Sequence, residues 1–452
     1  MGATRSMFKI LKRSAQGARV PHEKETAGLA TVKMPVPEHV IIPMSMHIGA
    51  PAQPVVKKGD QVCVGTLIGQ AGGFVSANIY SSVSGTVQDV APFRMVNGTT
   101  CTAIAIKSDG AQTIDAGCVP PTVTDKPSLM AAVQACGLVG VGGAGFPTHV
   151  KLAANTIDTL LINAAECEPY LTTDAREMLE CSDTIISGIT AVMKHCNIPH
   201  CIIGIERNKP ECIDLMCSLV RDMDGVSVKP LPMRYPQGAE KTLVETCTGR
   251  EVPQVGPSGK PGLPADCGCV IMNVTSVSTL GKFLKTGLPL VTKRLTVEGD
   301  AITNPQNIEV PIGTLYRDVI EACGGIKANV ELGKIIFGGP MMGGAAPSAD
   351  FPVLKQNNGL LLFGRKAAVL PEMEPCIRCG RCITACPMGL EPVIVVEDFN
   401  NKDMDALKAR CVDLCVACGS CTYACPAKRP VSQTMGLAKA WYLQQQRAKG
   451  GK

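Results

Sequence analysis

Eight cysteines fall in two matching runs, Cys376-x-x-Cys379-x-x-Cys382-x-x-x-Cys386-Pro387 and Cys415-x-x-Cys418-x-x-Cys421-x-x-x-Cys425-Pro426. A [4Fe-4S] cube needs four thiolates at tetrahedral corners, and two-residue gaps let one tight loop present three of them. In chains with two such runs the last Cys of each ligates the other cube, so one cluster takes Cys376, Cys379, Cys382 and Cys425. The other takes Cys415, Cys418, Cys421 and Cys386. A single Cys-x-x-Cys would suit structural zinc or a disulfide equally well. Eight cysteines at this spacing, each run closed by Pro, select two cubes and with them one-electron transfer.

A second constellation lies upstream. The loop from Gly137 to Thr148 carries Gly140, Gly142, Gly143 and Gly145, and backbone approaches an anion closely only where side chains are absent, so that successive N–H groups can cradle phosphate. By itself such a loop is equally a tight turn. It is followed, however, by a short apolar strand, Leu160 to Ala164, at whose C-terminal end stand Glu166 and Glu168. Crevices beyond strand ends are where α/β sheets bind ligands. The alternative for the two acids is a solvated loop. The six histidines form no pair at metal-ligand spacing and are expected on the surface or hydrogen-bonded in cores.

Composition bounds what can hold these groups. The 452 residues suffice for about three domains with true hydrophobic cores. Aromatics are only 4%, while Gly 46 and Pro 33 point to small β modules and ligand loops. The 23 Cys would mark a disulfide scaffold in a short secreted chain. Here the runs absorb eight, no signal peptide is evident, and a reducing compartment is expected, with the scattered thiols acting as small hydrophobes. No apolar run approaches the ~18 residues of a membrane-spanning helix. The net charge of +5 is dispersed and no basic, aromatic-rich groove is visible, which excludes nucleic acid. Near the start, Arg5, Lys9, Lys12 and Arg13 interleave with Phe8, Ile10 and Leu11. That pattern suits a basic amphipathic helix on a membrane or partner, but a frayed tail is the expectation.

The elements that must position the chemistry read as follows. Residues 1–34 form the N-terminal basic segment. Residues 35–118 alternate short strands and turns, as in Val55 to Val62 and Ser82 to Val87. They resemble the biotinyl/lipoyl sandwich of carrier proteins, although the hairpin tip, Ala71-Gly72-Gly73-Phe74-Val75-Ser76, has no lysine to acylate. The module is therefore read as structural or docking. A Pro120-Pro121 joint leads to an α/β unit over 119–285, in which strands such as Cys201 to Ile205 alternate with helices around a largely parallel sheet. Residues 286–350 combine alternating strands with a Thr314-capped helix, and Met341 and Met342 in the Gly338–Gly344 loop read as packing. Residues 351–452 carry the cysteine runs.

Two stretches, Gly142-Gly143-Ala144-Gly145-Phe146-Pro147-Thr148 and Asn163-Ala164-Ala165-Glu166-Cys167-Glu168-Pro169, resemble the flavin- and NADH-binding loops of the complex I flavoprotein. Residues 286–350 are similar to the SLBB β-grasp domain that follows it. Together with Tyr235-Pro236-Gln237-Gly238-Ala239-Glu240-Lys241, the sandwich and the double ferredoxin module, the order of parts over about residues 20–440 resembles the RnfC family, the peripheral NAD-facing components of Rnf electron-transport complexes. The fold class implied is multidomain α/β and α+β: sandwich, FMN/NADH-binding domain, SLBB domain and two-cluster ferredoxin domain. The resemblance implies non-covalent FMN and NAD(H) at Gly140, Gly142, Gly143, Lys151, Asn163, Glu166, Glu168, Glu240 and Asn273, with no side chain assigned a catalytic role. Val141, Ala165 and Cys167 depart from the complex I loop and carry nothing over. Residues 17–23 lack the Gly-Gly-x-His-Pro-Pro run usual in the Rnf family.

The activity implied is electron transfer between NAD(H) and ferredoxin through FMN and two cubes, because nicotinamide exchanges electrons in pairs and a cube singly. The implied partners are membrane subunits that couple it to Na⁺ or H⁺ translocation, with ferredoxin met indirectly. The implied location is peripheral, on the cytoplasmic face of a prokaryotic membrane. Two alternatives stand beside it: an NADH-dependent cobalamin reductase of a microcompartment, whose modules are permuted, and a flavin-free electron relay or scaffold with a purely structural glycine loop.

Overall fold

A computed structural model of the chain describes residues 17–154, 156–257 and 259–450. The amphipathic pattern over Arg5–Arg13 lies outside them. From Gly17 onward the N-terminal segment is tied down rather than frayed. Ala18 N–H donates to the Tyr235 carbonyl at 2.7 Å and Tyr235 N–H returns a bond to Ala18 at 3.0 Å. Val32–Lys33 then adds a parallel edge strand to Gln306–Pro311.

The sandwich forms from two small sheets. One runs His39–Pro43, Thr100–Ser108, Gly85–Arg94, Gln61–Val62, and the other Gln53–Pro54, Leu67–Gln70, Ile79–Tyr80. Period-two alternation puts Val40, Ile42, Ile104 and Ile106 inside. The hairpin tip at Gly72–Val75 leans on the next unit, where the Phe74 ring meets the His149 ring edge-on at 6.1 Å between centroids. His47 and His149 are buried and hydrogen-bonded, through Nε2, to Ser76 and to the Phe74 carbonyl.

The second unit is a four-stranded parallel sheet in the order Val226–Leu231, His200–Glu206, Thr159–Ala164, Cys269–Asn273. Three of its strands are near-continuous apolar runs, as burial on both faces demands, while the edge strand Val226–Leu231 is mostly exposed or half-buried. On one face the helices Ser182–Cys196 and Val274–Thr286 cross so closely that a Cβ on Gly188 would sit 2.1 Å from the Val277 carbonyl oxygen. Only glycine allows that approach.

The β-grasp unit is wider than the 286–350 span read from sequence. Its six-stranded sheet runs Val32–Lys33, Gln306–Pro311, Thr292–Glu298, Gly359–Gly364, Leu332–Phe337, Gly344–Ala346. Leu360 and Leu362 complete the core around Val297 and Ile308. The cysteine runs are loops that each include one short helix, Arg381–Thr384 or Ser420–Tyr423, packed on Pro392–Asn400 and the terminal helix Val431–Gly450 around Val395, Leu407 and Met435. The multidomain α/β and α+β architecture is thus realised in the expected order. Among the described residues no helix is long and apolar enough to cross a membrane.

Candidate functional site

The two cysteine loops repeat one geometry. Arg378 and Ala417 occupy the left-handed region at φ 52° and 52°, and Gly380 and Gly419 follow at 73° and 82°. In each loop the turned-back amide donates to the first sulfur, Arg378 N–H to Cys376 Sγ and Ala417 N–H to Cys415 Sγ, both at 3.4 Å. Such N–H···S bonds stabilise thiolate and tune a cluster's potential. Cys386, from the first run, lines one cavity together with Cys415, Cys418 and Cys421 of the second. The structure thus brings together the four cysteines that the spacing assigns to one cube. Among the described residues no three His, Cys, Asp or Glu side chains are set to hold a single metal ion. The four thiols surround a space instead, and a donor set of this kind fits a cube. Burial pushes the Cys386 thiol up to about 11 and the Cys421 thiol up to about 12, and a bound metal centre would favour the thiolate there. Around the other set, Cys376 and Cys379 are exposed, Cys382 and Cys425 half-buried. Glu374 N–H donates to the Ala427 carbonyl at 3.1 Å, which brings the first loop beside Cys425.

The glycine loop faces the C-terminal ends of the adjacent strands Thr159–Ala164 and Cys269–Asn273, where Asn163 and Asn273 are register partners. From the first of these strands the chain continues to one side through His200–Glu206, and Cys269–Asn273 is added on the other. This is the topological switch point at which open α/β sheets bind ligands. A Cβ on Gly142 would lie 2.7 Å from Asn273 Nδ2, whereas Gly143 faces open space. Asn273 is fixed on both sides: its Oδ1 accepts from Thr275 N–H at 2.9 Å, capping the helix, and its Nδ2 donates to Asp174 at 2.8 Å. Asn163 Nδ2 donates to the Gly238 carbonyl at 2.9 Å. Lys151 pairs with Glu240 at 2.6 Å. Gly142, Asn163 and Asn273 therefore lie together at the strand ends, with Gly140 and Gly143 in the same loop and the Lys151–Glu240 pair carried by the segments that follow the glycine loop and Gly238.

Glu166 and Glu168 differ from their expected part. Neither carboxylate points into the crevice free. Glu166, at φ 50°, accepts from Asp174 N–H at 2.6 Å and Ala175 N–H at 3.3 Å, anchoring the start of the helix Thr173–Glu180. Burial lifts it to about 7 against the pull of Lys24. Glu168 accepts from Met341 N–H and Met342 N–H, both at 2.9 Å, and from Tyr235 Oη at 3.4 Å. Burial raises its pKa, while those amides oppose the shift. The methionine loop thus acts through its backbone, and the Met342 side chain is exposed.

Two contributors had no distinct signal in the sequence. Lys24 donates from a buried ammonium to the carbonyls of Glu166, Glu168 and Leu171. Asp174 joins Asn273 to Thr275, with Thr275 Oγ1 donating to its carboxylate at 3.0 Å. A Thr-Thr-Asp at a helix start reads as ordinary capping, and only the fold brings that aspartate to Asn273.

Family comparison covers nearly the whole chain. Residues 12–111 match the RnfC barrel sandwich hybrid domain, 133–282 the Nuo51 FMN-binding domain, 294–344 the SLBB domain, and 375–429 the 4Fe-4S dicluster domain. The order is not permuted. Among curated relatives, the corresponding component of the proton-translocating ferredoxin:NAD(+) oxidoreductase complex of Clostridium ljungdahlii is 44% identical, over 82% of this chain and 80% of that one. The Na(+)-translocating counterpart of Acetobacterium woodii is 41% identical over 84% and 86%. The counterpart in the ion-translocating oxidoreductase complex of Rhodobacter capsulatus is 37% identical over 82% and 72%. A solved NAD+-reducing [NiFe]-hydrogenase aligns at 19% identity and a TM-score of 0.47, covering 72% of this chain and 63% of that one.

Proposed function

The chain belongs to the RnfC family of ion-translocating ferredoxin:NAD(+) oxidoreductase complexes, and from that membership we propose how its residues carry the reaction. It is an oxidoreductase subunit that works with FMN, NAD(H) and two [4Fe-4S] clusters, in a complex with membrane partners. When bound, these groups supply the exchange between paired electrons at nicotinamide and single electrons at iron. The chain's own part is to bind, to orient and to set distances.

Gly142 and Gly143 offer backbone N–H groups to the flavin phosphate, and Gly140, whose own N–H is bound by the Phe146 carbonyl at 2.9 Å, shapes the loop. Asn163, Asn273, Lys151 and Glu240 hold its polar groups. Glu166 and Glu168 shape the wall: the first orders the helix that carries Asp174, and the second fastens the β-grasp loop beside the crevice. Cys415, Cys418, Cys421 and Cys386 hold one cube, and Cys376, Cys379, Cys382 and Cys425 the other. The complex couples transfer to Na⁺ or H⁺ movement through the membrane subunits, and the chain lies on the cytoplasmic face.

The observation that carries the flavin reading is Gly142, held at the switch point with no room for a Cβ beside Asn273. Gly142→Ala must push Asn273 off its cap and out of the crevice. Wild-type protein reconstituted with FMN should retain it through gel filtration with its fluorescence quenched, and Gly142→Ala should lose it. Equal retention by the variant would leave the loop as a structural turn and favour the flavin-free relay.

A further inference from the structure

The two cubes are not equivalent in their surroundings. The loop of the Cys415/Cys418/Cys421 run faces inward. A Cβ on Gly419 would lie 2.9 Å from the Met341 carbonyl oxygen, and Met341 N–H is bound by Glu168 of the flavin-binding unit. Gln254 Nε2, also from that unit, reaches Cys411 Sγ at 2.7 Å. Among the described residues the Cys376/Cys379/Cys382 loop makes no hydrogen bond to these groups, and Cys376 and Cys379 are exposed.

The chain leading to that outer loop is unusual for a surface. From Val369 to Gly380 it is irregular and exposed almost throughout. It presents Val369 at 66%, Leu370 at 79%, Met373 at 55% and Ile377 at 68% exposure. Four large apolar side chains in nine residues of solvated coil are more than scattered surface hydrophobics, and such patches with a polar rim mark interaction sites. The rim here is net basic, although Glu372 and Glu374 are exposed in the same segment. Arg365 and Arg378 are engaged by Glu331 and Glu397, while Lys366, Arg381, Lys428 and Arg429 have no carboxylate partner among the described residues. Lys428 and Arg429 follow Cys425, the last ligand of the same cube.

We propose that the 369–381 segment, with Lys428 and Arg429, is the docking face for an acidic-faced, one-electron redox domain of the membrane partners, and that the Cys376/Cys379/Cys382/Cys425 cube is the terminal one. The proposal rests on the electron-transfer reading above. The inner cube stands next to the flavin-binding unit, and the outer one exchanges with the partner. One electron leaves the reduced outer cube for the partner's oxidised centre per encounter, no bond forms or breaks, and NADH supplies the reducing equivalents. Basic rim charges steer an acidic partner and set the salt dependence of association, while the apolar centre excludes water and holds it.

The test uses holo-protein and membranes that carry the partner subunits but lack this chain. Co-sedimentation is measured against salt without NADH, and the cubes' paramagnetic signals are recorded separately after NADH is added. Leu370→Asp and Arg429→Glu should each weaken co-sedimentation about tenfold, Arg429→Glu chiefly at low salt. Both should retain wild-type iron content and NADH-reduced cube signals. Lys57→Glu/Lys58→Glu, on the exposed turn of the sandwich, should sediment as wild type. Wild-type sedimentation of both face variants at every salt concentration, or an equal loss in the sandwich control, overturns the docking face. Cubes that stay oxidised in wild type after NADH sink the electron-transfer reading instead, and leave the face to be decided by sedimentation alone.

Discussion

Glu168→Gln isolates the contact that fastens the flavin-binding unit to the β-grasp loop. The carboxylate accepts two backbone N–H bonds, from Met341 and Met342, each at 2.9 Å. Glutamine keeps the volume and one carbonyl oxygen, but turns an NH₂ donor toward the second N–H. One charge-assisted bond is lost outright and the other becomes neutral. At ~1.5–3 kcal/mol for a bond to a charged group and ~0.5–1.5 for a neutral one, the loss is about 2–4 kcal/mol. Every 1.36 kcal/mol is tenfold, so local opening of the loop should rise by roughly 30- to 900-fold. Hydrogen exchange reads this directly, as lost protection of the Met341 and Met342 amides, while the Thr159–Ala164 strand keeps its protection. Because Gly419 of the inner cube's loop seats on Met341, the variant should also slow cube reduction by NADH more than flavin reduction. Unchanged exchange at Met341 and Met342 would refute the fastening role.

The remaining predictions concern the wire and the frame. Cys379→Ser should lower iron from about eight per chain toward four, leaving an inner cube that NADH still reduces. Cys418→Ser should lower iron similarly yet cut NADH off from the outer cube, which dithionite still reduces; equal behaviour of the two variants would remove the order. Lys355 is fully buried, its ammonium donating to the carbonyls of Asn78 at 2.6 Å and Gly137 at 2.7 Å, and burial lowers its pKa to about 7. Between pH 7 and its unfolded value of about 10.5 the unfolded state holds the extra proton, so this residue makes stability rise with pH by up to about 1.4 kcal/mol per unit. Urea midpoints of wild type minus Lys355→Met should show that slope between pH 7 and 9.5 and flatten below pH 7; a flat difference throughout would mean the amine is solvated.

The parts legible in the sequence were those whose chemistry is local. Cysteines at two- and three-residue gaps define cube loops without reference to the rest of the chain. The glycine loop and the strand Leu160 to Ala164 announce a crevice because backbone access and apolar continuity are written in adjacent residues. What was not legible depends on contacts between distant residues. Lys24 reaches the Glu166 carbonyl 142 positions away, and nothing in a basic N-terminal segment distinguishes that lysine. Glu166 and Glu168 read as ligand-facing acids because two carboxylates at a strand end are costly to bury, yet backbone amides from Asp174 and from Met341 and Met342 satisfy them. Gly359–Gly364 lies beyond the span assigned to the β-grasp unit because a strand that joins from past a long loop carries no mark of its sheet.

If this chain binds FMN and two cubes as assigned, NADH would reduce the flavin before single electrons reach the chain's own iron. Anaerobic rapid mixing of FMN-reconstituted chain with NADH, followed optically and by freeze-quench paramagnetic resonance, tests it most directly. Flavin bleaching should come first and reduced-cube signals afterwards in the same chain, with both phases lost in Gly142→Ala. Cubes that dithionite reduces but NADH never reaches, in protein that has retained FMN, would contradict it.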